Sequence, residues 1–200
     1  MSTKFIFDLD GTLTKHETLP IISSHFNIEN EIDTLTKDTI QGNVPFIESF
    51  IKRVMILGTL PIDEIQDLLN NVALHEKLLQ FIQENKENCI IATGNLECWI
   101  KKLVEKINCK TYCSTCITKD NHVQKLITIL RKENIVKELK NNGDRVVFIG
   151  DGNNDMEAMR IADVSIASGL IHMPAKSVLS ISNYAVFNEE SLCRLLNQLL

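Results

Sequence analysis

The sequence predicts an α/β protein in which helices cover both faces of a mostly parallel sheet. Three observations predict it. From residue 74 onward, short apolar runs alternate with amphipathic stretches of helical period, the pattern of strand-helix-strand crossovers. The block from 15 to 72 breaks that alternation and reads as helices only, so it forms a small all-helical insert after the first strand. The residues best suited to chemistry fall where strands end, and open parallel sheets bind ligands outside those carboxyl ends.

Taken in order, the first element is the strand around Lys4-Phe5-Ile6-Phe7, which runs into Asp8-Leu9-Asp10-Gly11-Thr12-Leu13-Thr14. A short run rich in Phe and Ile and stopped by Gly reads as a buried strand. Helices are expected over 17–28, 29–40, 44–57 and 61–71, punctuated by Gly42-Asn43 and by Gly58 to Pro61, with Pro61 in a first helical turn. Helix 74–86 then feeds strand 88–93, and Gly94-Asn95 opens helix 96–107. Alternation on either side of Asp120-Asn121 predicts a β-hairpin over 111–129. Helix 132–141, strand 145–150, helix 153–161, strand 163–167, a loop with Met173-Pro174, strand 183–187 and helix 189–199 complete the chain.

Composition bounds the function. The chain has 200 residues, 44% hydrophobic and 24% charged, enough for one domain with a modest insert. A net charge of -5 argues against a nucleic-acid or anionic-membrane surface, so an anionic substrate must be drawn by a few local cations. No apolar stretch approaches the ~20 residues of a membrane span, and the start does not resemble a signal peptide. The six cysteines form no small-scaffold disulfide framework and are expected as reduced thiols of a cytoplasmic protein. Cys113-Ser114-Thr115-Cys116 reads as strand thiols; half of a zinc or redox site is the alternative.

Three segments stand out. Asp8 and Asp10 are two acids at a buried strand end, a costly pairing unless a cation lies between them or the chain is already unwinding. Gly150-Asp151-Gly152-Asn153-Asn154-Asp155 follows an apolar strand and opens a helix, either as an acidic helix cap or as a site for a hard cation. Ala92-Thr93-Gly94-Asn95 places a hydroxyl at a strand end before a helix, suited to an anion or to plain capping.

Together these segments resemble the motifs of the haloacid dehalogenase superfamily, with the first motif in Asp8-Leu9-Asp10-Gly11-Thr12, the second in Thr93-Gly94-Asn95 and the fourth in Gly150 to Asp155. The resemblance implies a Rossmann-like core over 1–14 and 73–200, a helical cap over 15–72, and Mg²⁺-dependent hydrolysis of phosphomonoesters. It implies that Asp8 is the nucleophile, that Asp10 is acid and base, and that Asp8, the carbonyl of Asp10 and Asp151 hold Mg²⁺ with Asp155 in support. The phosphoryl oxygens would lie against Thr93, Gly94, Lys132 and Asn154. For the Lys of the third motif, the candidates are Lys119, Lys125 and Lys132; Lys132 opens the helix before the fourth-motif strand and is chosen.

Within the superfamily the likeness narrows to phosphoserine phosphatases. Lys15-His16-Glu17-Thr18, Ser49 to Val54 and Leu60-Pro61-Ile62 resemble their helical cap, which implies Glu17 near a substrate amino group and Arg53 on its carboxylate. Both side chains are equally suited to the solvated faces of amphipathic helices. Two departures put phosphoserine itself in question: Thr93-Gly94-Asn95 stands where the family has Ser-Gly-Gly, and the stretch from Ser168 to Pro174 is longer, with His172 expected as a plain loop residue. The expected partner is a small phosphorylated metabolite, an amino-acid phosphate among the candidates, with no nucleic acid and no membrane. A phosphotransferase, a phosphatase for another metabolite, and a non-catalytic binding protein on the same fold are the rivals.

Overall fold

The computed structural model describes residues 2–41 and 43–200. Gly42, expected to close the second helix, lies outside the described residues. Strand β1 (Thr3–Phe7) leads into helices α1 (Thr18–His25), α2 (Glu29–Gln41), α3 (Phe46–Leu57) and α4 (Ile62–Asn70). Then follow α5 (Glu76–Glu84), β2 (Cys89–Leu96), α6 (Glu97–Ile107), β3 (Lys110–Lys119), β4 (His122–Thr128), α7 (Lys132–Asn141) and β5 (Arg145–Gly150). The last elements are α8 (Met156–Ile161), β6 (Val164–Ser168), the short α9 (Lys176–Leu179), β7 (Tyr184–Val186) and α10 (Glu189–Leu199).

The seven strands form one sheet in the order β4-β3-β2-β1-β5-β6-β7. Every pairing is parallel except β3 with β4. That exception is the expected hairpin, whose Asp120 and Asn121 both take positive φ (50° and 64°), the left-handed pair a tight hairpin turn requires. From β1 the chain builds outward to β2 and β3 on one side and later to β5, β6 and β7 on the other, so β1 is the switch point where such sheets open a crevice. Phe7 is in register with Ile91 of β2 and Ile149 of β5. The residues just beyond therefore emerge together at one edge.

Alternation along β1 sends Phe5 and Phe7 to one face and Ile6 to the other. Phe5 packs edge-on against Phe81 of α5, with ring centroids 5.4 Å apart, in a core shared with Trp99, Leu103, Leu192 and Leu196 from α6 and α10. Ile6 and Phe148 meet Ile135, Val136, Met159 and Val178 from α7, α8 and α9. Both faces are thereby covered, and full burial of each such side chain contributes about 1.5–3 kcal/mol.

Helices α1 to α4 pack on one another, and α4 rests on α6. The chain leaves and re-enters the sheet side by side: Lys15 N–H donates to Ala73 O at 2.8 Å and His75 N–H to Leu13 O at 3.0 Å. The hairpin tip braces the far side, where Ile62 N–H donates to Asn121 O at 2.8 Å and Val123 N–H to Gly58 O at 3.0 Å. Several boundaries differ from the sequence reading. Among them, helix α1 ends early because Asn27 takes φ 57°, Pro61 precedes α4 rather than opening it, and α9 forms within an expected loop because four residues carry no usable period. Among the described residues no helix is long and apolar enough to cross a membrane.

Candidate active site

Asp8, Asp10, Thr93 and Asp151 gather at the carboxyl edge of β1, β2 and β5 and line one cavity of about 150 Å³ beneath the helical unit. The first loop is bent by Gly11, whose φ of +70° suits glycine. A Cβ there would fall 2.6 Å from both carboxylate oxygens of Asp151, so the absence of a side chain lets β1 and β5 bring their acids together. Asp8 N–H donates to Ile149 O at 2.9 Å, and Thr12 Oγ1 donates to Asp151 Oδ1 at 3.3 Å.

Lys132, at the first position of α7, reaches under this loop. Its Nζ lies 2.7 Å from Asp8 Oδ1 and 2.6 Å from Asp155 Oδ1. It is 3% exposed, because α7 packs against the sheet and carries its first residue inside. Burial pulls the ammonium pKa down, but the carboxylates of Asp155 and Asp8 outweigh it and leave it raised. Lys119 and Lys125, the other candidates, stand exposed on the hairpin. The second oxygen of Asp155 accepts the N–H groups of Asp151 (3.1 Å) and Gly152 (3.0 Å), tying the fourth-motif loop closed.

Asp8, Asp151 and Asp155 are all buried and offer carboxylate oxygens within 4.8 Å of one another. Burial first, then the Asp155 charge, raises Asp8 well above its ordinary value although Lys132 pulls it down. Burial together with Asp8, Asp155 and Glu17 pushes Asp151 up to about 9. One ammonium does not balance three acids. An all-oxygen donor set with surplus negative charge fits a hard divalent cation such as Mg²⁺.

Asp10 is held differently. Its Oδ1 accepts Thr18 N–H at 2.9 Å and its Oδ2 accepts the Asn95 amide at 2.6 Å. Burial and the nearby Glu17 charge raise it to about 6, with the Thr18 bonds opposing. Thr18 and Asn95 also touch, at 3.2 Å. Neither residue was expected to position Asp10. Asn95 was noticed only as a departure at the pocket floor, and no periodicity or motif could have paired it with Asp10.

One boundary of the second motif differs from the expectation: β2 runs on past Thr93 to Leu96, which pairs with Ser114 of β3 after a register shift from Ala92, and α6 begins at Glu97, one residue from the expected start. Thr93 neither caps a helix nor borrows its dipole; its Oγ1 accepts Asn95 N–H at 3.2 Å. Gly94 and Asn154 line the same cavity as Thr93.

From the helical unit, Arg53 and Glu17 both reach the cavity. Arg53 is 8% exposed, its Nε donates to Ser49 O at 3.3 Å, and burial lowers its pKa. Trp99 walls the cavity opposite, and its Nε1–H has no partner among the described residues. A second chamber of about 460 Å³ shares Glu17, Arg53 and Asp151 and extends to Ile32 and Met173. His172, expected as a plain loop residue, lines this outer chamber and contacts Glu17 at 2.9 Å.

With this site and sheet in view, the chain belongs to the haloacid dehalogenase-like hydrolases, whose family model matches residues 5–163. It is similar to the phosphoserine phosphatase of Methanocaldococcus jannaschii, 27% identical over 175 residues that span 81% of this chain and 83% of that enzyme. The phosphoserine phosphatase of Archaeoglobus fulgidus is 23% identical over 175 residues, again 81% of this chain but 51% of that longer protein. A solved substrate-bound phosphoserine phosphatase complex superposes with a TM-score of 0.81 at 22% identity, covering 99% of this chain and 98% of that one. This last likeness is one of fold.

Proposed function

We propose that the chain is a Mg²⁺-dependent phosphomonoester hydrolase that works through an aspartyl-phosphate on Asp8, acting on phosphoserine or a similar small phosphometabolite. The observation that carries this reading is the pairing of a buried, Lys132-bound Asp8 with an Asp10 raised to about 6 in the same cavity. Asp8 Oδ1 is held by Lys132 and by the Leu9 N–H, each at 2.7 Å, which leaves Oδ2 to attack phosphorus. As the Asp8 O–P bond forms and the ester O–P bond breaks, Asp10 gives its proton to the leaving oxygen. Asp10 then takes a proton from the water that cleaves the aspartyl-phosphate, releasing phosphate and restoring Asp8.

Thr93, Gly94, Lys132 and Asn154 hold the phosphoryl oxygens, and Lys132 offsets the repulsion between carboxylate and dianion. Asp8, the Asp10 carbonyl and Asp151 would hold Mg²⁺, with Asp155 supporting them. When bound, the ion supplies the positive charge that the acids and the phosphoryl oxygens require. Residues 15–72 act as a cap over the core of 1–14 and 73–200, a division supported by the adjacent crossings at Lys15 and His75. From the cap, Glu17 and Arg53 face the leaving group; a buried guanidinium is suited to a carboxylate. A cytoplasmic location accords with the six free thiols. The test is a panel of phosphorylated metabolites with Mg²⁺, wild type against Asp8→Asn. Turnover by the wild type and its loss in the variant are expected; equal rates would remove the mechanism.

A further inference from the structure

The loop between β6 and α9 is anchored at both ends. Gly169 N–H donates to Val186 O and Ala175 N–H to Asp151 O, each at 2.8 Å. Between these anchors His172 reaches across to the helical unit. Its Nε2 lies 2.9 Å from Glu17 Oε1 and 3.4 Å from Asp151 Oδ2; the Glu17 carboxylate accepts, so this nitrogen carries a hydrogen and donates it. Nδ1 lies 3.1 Å from Met173 O. The imidazole therefore occupies the gap between an acid of the helical unit and an acid of the sheet edge, at the junction of the two chambers.

A carboxylate that already accepts a hydrogen bond from its own chain attracts a substrate ammonium less than a bare one. Glu17 is the acid of the inner cavity that comes from the helical unit, and it enters from the side that carries Arg53. We propose that His172 is a specificity-determining residue: by engaging Glu17, it turns the site away from ammonium-bearing esters toward phosphomonoesters whose alcohol carries an anionic group and no ammonium. This rests on the phosphomonoester hydrolase reading and specifies its substrate class. Arg53 takes the anionic group, while the outer chamber leaves room for an alcohol larger than serine.

The test is competition against hydrolysis of p-nitrophenyl phosphate with Mg²⁺, using phosphoserine and 3-phosphonooxypropanoate, the same skeleton without its amino group. In the wild type the des-amino compound should compete about tenfold better, the scale of one hydrogen bond to a charged group. His172→Ala should shrink that ratio at least threefold (roughly half of that effect in free energy), and His172→Gln, which keeps a donor, should restore it. A wild type that does not discriminate within the pair overturns the inference, as does a ratio that His172→Ala leaves unchanged or increases. An increased ratio would mean that His172 presents Glu17 to an ammonium. Failure of the wild type to hydrolyse p-nitrophenyl phosphate at all would instead sink the hydrolase reading.

Discussion

Replacing Asp151 by Asn should stabilise the Mg²⁺-free protein, and by an amount that depends on pH. Asp151 is 6% exposed, and burial with its acidic neighbours raises it from 3.8 to about 9. Between pH 5 and pH 8 the folded chain keeps this proton while the unfolded chain has lost it. A raised acid contributes stability below its unfolded pKa that is lost as pH climbs toward the folded value, so the wild type should weaken across this window. Three pH units at about 1.4 kcal/mol each give a loss of at most about 4 kcal/mol. Asn mimics the protonated acid and keeps an oxygen for the Thr12 hydroxyl, which lies 3.3 Å from Oδ1. Its advantage over wild type should therefore grow with pH, reaching up to roughly 10 °C in Tm for a chain of this size. Thermal unfolding of both proteins in chelator at pH 5 and pH 8 measures it. Added Mg²⁺ should raise the wild type at pH 8 and leave the variant nearly unmoved. An advantage that is the same at both pH values, or a variant less stable than wild type at pH 8, would refute the surplus-charge argument.

Other outcomes follow from the same geometry. Lys132→Met removes the ammonium between Asp8 and Asp155; denaturant unfolding should show a loss of about 3–5 kcal/mol in the Mg²⁺-free protein, the usual cost of orphaning buried charge. Turnover should fall by at least about 100-fold with it. Asp10, raised to about 6, should leave its mark on the first chemical step. With alkyl phosphates, single-turnover phosphorylation should decline as pH rises past that value, whereas p-nitrophenyl phosphate, whose leaving group needs no proton, should lack the decline. Identical profiles for the two esters would remove Asp10 as the acid. Asp10→Asn should accumulate the phosphorylated chain with p-nitrophenyl phosphate, because water then has no base, and rapid quenching would show whether it does.

Much of the fold was legible because local and global signals agree. Phe5, Ile6 and Phe7 read as a strand from composition alone, and the same residues fill the cores on both sheet faces. Asp120-Asn121 read as a hairpin turn, and both take the left-handed backbone that such a turn requires. What stayed hidden depends on distance across the chain. Asn95 holds Asp10 across 85 residues, and His172 reaches Glu17 across 155; neither pairing leaves a local period. The end of β2 was hidden for a related reason, since Gly94-Asn95 looks like a helix opening until β3 is present to pair with Leu96.

A rapid-quench experiment on Asp10→Asn, digested and analysed by mass spectrometry, tests the role of Asp8 most directly. A phosphoryl group on the peptide that contains Asp8, absent from the Asp8→Asn, Asp10→Asn double variant, is the predicted result. Turnover by the wild type with no such label at any time point would contradict it.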